Sequence, residues 1–373
     1  MKTAPDLANL SFEFRPADWM YVARTDEHGG WREGALQPYQ DLAISPASAV
    51  LNHAQAVFEG MKAQRTAEGR LVLFRPSANA RRFRQSAERL AMPPFPEEYF
   101  VAAVEALARA NADWVPPAGT GSLYIRPVLM GSGPILGVTP APSYTFYIFA
   151  CPVGAYLPGE GKVIVLDGMH RAVVGGTGNV KAAGNYAPTF VPHQTAQAMG
   201  YKDVLYLDAR EDRYVEELGS SNVFAFLADG TLVTPQLGTV LPGITRHSVI
   251  KIAREVFGWT VVERALAIDE LISGTSEAFL TGTAAVVQPI TLVNYQGRDY
   301  PLGPLGDGQP GARAAALRKR LIDIQTQARP DPFGWVHEVP STVFEEIPTF
   351  SQAGITAMGS DRVPAVVAAQ SSA

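Results

Sequence analysis

The sequence predicts an α/β chain of two domains, and three observations carry that reading. The chain has 373 residues, 47% hydrophobic and 18% charged. That is enough for two domains or one large one, and too apolar for a disordered chain. Short strand-like runs interleave with stretches of helical periodicity. Finally, Pro152 to about Gly161 is rich in proline and glycine and reads as a link between two halves.

Composition also narrows the function. The formal net charge is −5, so no nucleic-acid surface is expected. Cys151 is the single cysteine, so no intrachain disulfide can form; a reducing, cytoplasmic setting fits. Met1–Leu10 hold no long apolar run, so no signal peptide is read there, and no segment has the apolar length of a membrane span. The six histidines are scattered without ligand spacing, so no metal centre is expected.

Taken in order, residues 1–50 are turn-rich, with a loop tip at Asp26–Gly30. Val50–Arg65 and Leu71–Phe74 read as strand-like runs around a turn at Thr66–Arg70. Ser77 is placed to cap a helix starting at Ala78, with Phe83, Ala87 and Leu90 on one face. Arg81, Arg82, Arg84 and Arg89 surround that face, and an anion contact from one of them is expected; composition does not choose which. A second helix fits Pro96–Trp114, with Phe100, Val104 and Leu107 along one side. Ser122–Met130 follows as a strand whose alternation puts Tyr124 and Arg126 on one face. Buried there, Arg126 needs a partner, naturally a carboxylate; on an edge strand it faces solvent. Tyr144–Ala150 is another strand, and Val163–Leu166 starts the second half.

Gly175-Gly176-Thr177-Gly178 leads to a lysine, Lys181, that is the only charge before Gly184-Asn185-Tyr186. Small residues allow sharp turns and close approach of other atoms. A poorly solvated amine tends toward its neutral form, which attacks a carbonyl to make a Schiff base. A helix from Asn185 to Met199 follows, kinked at Pro192. Two hairpins come next: Asp203–Asp208 with Tyr214–Glu217, and Asn222–Leu227 with Thr231–Thr234. Leu241-Pro242-Gly243-Ile244-Thr245 opens a helix whose first N–H groups are unpaired, an end that receives phosphate readily. Phe279–Val287 reads as strand, tight turn and strand, with Thr283 and Ala284 at the turn. Beyond Pro330 the chain is proline-rich, and 358–373 reads as a weakly structured tail.

One chemistry asks for these parts together. Pyridoxal phosphate needs a lysine, a carboxylate near its pyridine nitrogen and a phosphate cradle. Lys181 supplies the first, Glu217 is placed for the second, and the start of the helix at Ile244-Thr245 with one arginine suits the third.

The same stretches carry a family resemblance. Phe58-Glu59-Gly60-Met61-Lys62-Ala63, Leu73-Phe74-Arg75-Pro76, Ser122–Pro127, Gly175–Gly178 through Tyr186, Glu217–Asn222, Leu241–Arg246 and Gly282-Thr283-Ala284 occur in this order. With them the chain, from about Phe12 to Val339, closely resembles the branched-chain amino-acid aminotransferases of fold type IV. The resemblance implies a small α/β N-terminal domain (1–155), a linker (156–175), a larger cofactor-binding domain with a mixed, barrel-like sheet (176–357) and a tail (358–373). It implies that Lys181 carries the cofactor and shuttles a proton, with Arg82 on the phosphate, Tyr186 on the ring oxygen and Glu217 at the ring nitrogen. It further places Ser220, Ile244, Thr245 and Thr283 in the cofactor site. Phe12, His53, Phe58, Tyr124, Arg126, Tyr156, Thr283 and Ala284 are implied for the substrate. His53 stands where many members have a tyrosine, and Ala285 and Gln288 stand where some relatives carry a thiol pair, so no thiol switch is expected. Transamination of leucine, isoleucine or valine with 2-oxoglutarate, in a cytoplasmic homodimer, is the implied activity. D-amino-acid aminotransferases and aminodeoxychorismate lyases share the fold, usually with shorter chains lacking the Ser122–Pro127 pattern. A catalytically silent relative would lack the intact Lys181, Tyr186 and Glu217.

Overall fold

The computed structural model describes residues 7, 9–25, 30–154, 161–304 and 306–340. Most of the expected loop tip (26–29), Tyr156, part of the expected linker and the tail lie outside these residues. Among the described residues there are seven α-helices and two sheets, so the α/β class holds.

The first sheet has eight strands. Its spatial order is Val336–Glu338, Leu71–Phe74, Met61–Arg65, Gly121–Gly131, Tyr144–Gly154, Trp19–Arg24 and Ala35–Pro38, with Ala56–Phe58 also paired to Gly121–Gly131. Gly121–Gly131 therefore lies inside the sheet, which rules out the edge reading for Arg126. Alternation puts Leu123, Ile125 and Leu129 into the core and turns Tyr124 and Arg126 to the other face. Helices Pro76–Arg89 and Glu97–Ala110 close the core side through Phe83, Phe100, Val104 and Leu107, all fully buried.

The second sheet has ten strands of mixed direction. Its main path is Val261–Glu263, Leu232–Thr234, Asn222–Leu227, Val215–Leu218, Asp203–Leu207, Lys162–Ile164, Leu292–Tyr295 and Arg298–Pro301. Thr275–Gly282 pairs with both Asn222–Leu227 and Val286–Ile290. Helices Ile244–Glu255 and Ala312–Gln325 pack over it through Val249, Ile252, Leu317 and Leu321.

Several expectations are corrected in detail. Ala49–His53 is a helix rather than the start of a strand, and the run after it breaks at Glu59-Gly60 into two strands. The helix expected from Ala78 starts at Pro76, because a proline at N1 lacks only an N–H that would be unpaired anyway; Arg75, not Ser77, is its cap. Strand Tyr144–Gly154 runs through Pro152, where the link was expected to begin. Residues 183–189 form two short 3-10 turns, so the α-helix begins at Phe190. Pro192 thus falls in its first turn, where it removes no helical bond. Helix Ala312–Gln325 and strand Val336–Glu338 were not read in the sequence; the strand pairs back onto Leu71–Phe74 of the first sheet.

Candidate active site

The lysine loop is fixed from both sides. Ala182 bridges to Val57, and the Phe58 N–H donates to the Lys181 carbonyl at 3.2 Å. The Lys181 N–H donates to Ser86 Oγ at 3.0 Å, while that hydroxyl donates to the Arg82 carbonyl at 2.8 Å. Lys181 Nζ lies 3.0 Å from the Tyr186 hydroxyl and 4.7 Å from the centroid of the Phe58 ring. The rings of Phe58 and Tyr186 meet edge-on at 4.8 Å.

This amine opens on a cavity of about 690 Å³. Of the expected site residues, Lys181, Tyr186, Ser220, Thr283, Ala284, Phe12, Phe58, Tyr124 and Arg126 line it. Gly60 lets Tyr124 come close, since any Cβ there would overlap the phenol. Arg126 donates to the Tyr124 hydroxyl at 3.3 Å and lies over the Phe58 and Tyr124 rings, 4.9 and 5.3 Å from their centroids. Its Nε is buried and has no partner. An orphaned donor in such a wall suits an anionic acceptor from outside the chain.

A second, small pocket of about 30 Å³ adjoins, lined by Gly60, Lys62, Asn79, Ile244, Thr245 and Thr283. Helix Ile244–Glu255 begins here with Gly243 at its cap and no side-chain cap bond, so its first N–H groups have no helical partner. Arg82 is buried behind, its Nε and Nη2 on the two oxygens of Glu59 at 2.7 and 2.8 Å and its Nη1 on the Pro242 carbonyl at 3.2 Å. An unsatisfied helix start and a threonine hydroxyl in this pocket, with an oriented guanidinium behind it, are the kinds of group that suit a phosphate.

Glu217 is 2% exposed. It is paired with Arg171 and accepts from Asn222 Nδ2 and the Leu241 N–H, both at 3.2 Å. Burial pushes its carboxyl up to about 7, with Arg171 opposing. Its neighbour Glu216, held by Thr239, is also raised by burial. An amine, a phenol, a phosphate cradle and a buried acid are the parts that a pyridine phosphate aldehyde requires, and the residues present fit it.

His53 is exposed at the end of its short helix and does not line the cavity of its own chain. Tyr156 lies outside the described residues. Three supports were not read as such in the sequence: Arg171 on Glu217, Glu59 on Arg82 and Ser86 on Lys181. Glu59 carried a signal, an acid in an otherwise apolar run; Arg171 carried none.

The chain matches the class IV aminotransferase family over residues 56–293. It belongs to that family. Branched-chain-amino-acid aminotransferase 5, chloroplastic, of Arabidopsis thaliana is 44% identical over 335 residues, 88% of this chain and 79% of the relative. Branched-chain-amino-acid transaminase 1 of Bacillus subtilis (strain 168) is 42% identical over 348 residues, 91% and 96%. Among solved structures, a T.th. branched-chain amino acid aminotransferase complexed with N-(5'-phosphopyridoxyl)-L-glutamate superposes with a TM-score of 0.73 at 30% identity, covering 88% of this chain and all of that one. As a class IV aminotransferase the chain is a transaminase of fold type IV that uses pyridoxal phosphate.

Proposed function

We propose that the chain transfers the amino group of leucine, isoleucine or valine to 2-oxoglutarate, in two half-reactions at one site. The observation that carries this is the Lys181–Tyr186 pair at 3.0 Å, in a cavity walled on one side by Phe12, Phe58, Val128 and Leu280, with Arg126 among these apolar groups and Lys202 and Asp203 elsewhere in its lining. Apolar walls suit a branched side chain, and a lone guanidinium in them suits the distal carboxylate of glutamate. The names of the relatives support the same substrates.

Pyridoxal phosphate, when bound, supplies an aldehyde carbon for the substrate nitrogen and a ring that withdraws electrons from Cα. Lys181 is the base that takes the Cα proton and returns it to the other carbon of the C–N unit. Tyr186 holds the lysine nitrogen on line through its hydroxyl. Glu217 sits behind as the buried acid that keeps a proton at the ring nitrogen, and Arg171 fixes its direction. Arg82, Thr283 and the N–H groups of Ile244 and Thr245 would hold the phosphate, with Ser220 on the wall of the larger cavity. The turn at Thr283-Ala284 receives the substrate α-carboxylate on its N–H groups. Arg126 and Tyr124 would donate to the second carboxylate of glutamate, and the Arg126 head otherwise rests over the Phe58 and Tyr124 rings.

We also propose that the two sheets mark two domains close to the expected 1–155 and 176–357, except that strand Lys162–Ile164 of the expected link 156–175 lies inside the second sheet and strand Val336–Glu338 pairs into the first. A homodimer in the cytoplasm suits the single cysteine and the exposed apolar side chains Leu136, Val138 and Val174. Among the described residues no helix is long and apolar enough to cross a membrane.

The test is an assay of L-leucine, L-isoleucine and L-valine against D-alanine, each with 2-oxoglutarate, on wild type and Lys181→Ala. Turnover of the branched L-substrates, lost in the variant together with any borohydride-fixed link to the cofactor, is expected. Preference for D-alanine, or full activity in the variant, ends the reading.

A further inference from the structure

Helices Pro76–Arg89 and Ile244–Glu255 flank a second cavity of about 530 Å³, a cleft open to solvent. It is lined by six cationic side chains, Arg75, Arg81, Arg82, Arg246, Lys251 and Arg254, against the carboxylates Glu255 and Glu263. For a protein of formal net charge −5, that is a local reversal of sign. The acids present are already shared: Glu263 lies 3.0 Å from Arg246 and 3.6 Å from Arg254, and Glu255 lies 3.2 Å from Lys251. Arg82 is held by Glu59. Among the described residues, no carboxylate lies within ion-pair distance of Arg75 or Arg81. Arg75 points its Nη1 at Ser248 Oγ (2.8 Å) and His247 Nδ1 (3.0 Å) instead. Burial and the nearby Arg81 pull Arg75 down to about 10, with Asp331 opposing. His247 is lowered by burial, then by Arg75 and Lys251, the same cations that line the cavity.

Arg246 makes the independent case. It is 3% exposed and lines the cavity, yet its Nε has no hydrogen-bond partner. Its Nη2 is held by the Pro235 carbonyl at 2.8 Å and by Glu263, so the unpaired Nε is the part of this guanidinium still lacking an acceptor, a cost to stability while it stays unmet. The small phosphate pocket of the active site is formed by Gly60, Thr245 and Thr283; Ile244 borders both pockets, and Arg82, assigned above to the cofactor phosphate, also lines the second, which leaves five cations there for another anion.

We propose that this second cavity binds a phosphorylated small molecule carrying two or more negative charges, at a site distinct from that of the cofactor. Forked guanidinium groups match phosphate oxygens two at a time, and arginine outnumbers lysine five to one here. The volume suits a ligand of metabolite size. Because Ile244 borders both pockets, occupancy here also bears on the helix start that holds the cofactor phosphate.

The experiment is a calorimetric titration of the holoenzyme, with its cofactor fixed by borohydride so that the cofactor phosphate site is filled, using inorganic pyrophosphate at constant ionic strength. One site per chain with Kd below ~1 mM is expected. Arg81→Gln/Arg254→Gln, two exposed positions outside the cofactor site, should weaken binding at least tenfold while circular dichroism and cofactor content stay as in wild type. The single variant Arg81→Gln should show a smaller loss and serves if the double variant misfolds. No binding to wild type, undiminished binding to the variants, or equally tight binding of tricarballylate in place of pyrophosphate would each overturn the assignment.

Discussion

Glu59 grips Arg82 with both oxygens, Nε at 2.7 Å and Nη2 at 2.8 Å, and accepts Asn79 Nδ2 at 2.7 Å and the Gly60 N–H at 3.2 Å. The carboxylate is fully buried and the guanidinium 8% exposed. Two of the three guanidinium nitrogens are thereby spent on Glu59, and Nη1 alone is aimed at the Pro242 carbonyl beside the cradle. With Arg82 proposed for the cofactor phosphate, Glu59 is predicted to act as its positioning residue. Removing one partner of such a buried pair typically costs about 3–5 kcal/mol. Glu59→Gln keeps the shape and loses the charge. It should weaken pyridoxal phosphate binding to the apoenzyme at least ~10-fold, about 1.4 kcal/mol. Fluorescence titration reads this directly, and Glu59→Asp should recover part of it. Unchanged affinity in Glu59→Gln would remove the positioning role.

Arg126 is predicted to divide the two half-reactions. Its Nε is unpartnered and its head rests on Phe58 and Tyr124, so an apolar substrate leaves it as it is while a dicarboxylate pairs with it. Arg126→Met should raise KM for 2-oxoglutarate by ~10-fold or more, the value of a charge-assisted contact of about 1.5–3 kcal/mol. KM for leucine should change by less than ~3-fold, since no pairing is lost. Steady-state kinetics with each substrate varied separately decides it; equal effects on both would remove the assignment.

Residues whose sequence neighbourhood states their chemistry are legible in the sequence. Lys181 among glycines, the Pro242-Gly243 helix start and the Thr283-Ala284 turn each declare a local geometry. The pairing of distant groups is not. Arg171 meets Glu217 only because the segment before the lysine loop folds back against strand Val215–Leu218. Strand Val336–Glu338 is three residues long and gains its place from pairing with Leu71–Phe74, so no periodicity marks it. Helix Phe190–Ala198 starts late because 3-10 turns at 183–189 share the same residue preferences as an α-helix.

Gly243 couples the phosphate cradle to the buried acid. A Cβ at this position would overlap Asn222 Oδ1. Asn222 in turn donates to Glu217 at 3.2 Å and to the Leu241 carbonyl at 2.9 Å. Gly243→Ala must displace either the helix start or the amide, and cofactor affinity should fall at least ~10-fold. In an Asn222→Ala background the clash is gone, so adding Gly243→Ala should cost little more. Contacting residues behave non-additively in this way. Strictly additive losses across the four proteins would show that the two positions act apart.

Lys62 offers a pH-dependent test of the small pocket. Its Nζ donates to the Ala284 carbonyl at 3.0 Å, behind the turn assigned to the substrate carboxylate. Burial, then Arg318, lowers its ammonium to about 8. In the unfolded chain a lysine titrates near ~10.4. Below pH 8 both states hold the proton, and the buried charge costs the folded state its full penalty. Between about 8 and 10.4 only the unfolded state still holds the proton, so the folded apoenzyme gains stability as pH rises. A shift of this size corresponds to up to about 3 kcal/mol. Lys62→Met removes the titration along with the bond to Ala284, which acts as a constant offset. Urea denaturation of both apoproteins at about pH 7.5 and about pH 10 should therefore show the wild type gaining on the variant by roughly 1–3 kcal/mol. A difference that stays flat across that interval would mean that Lys62 keeps an ordinary ammonium, open to water, in the folded protein.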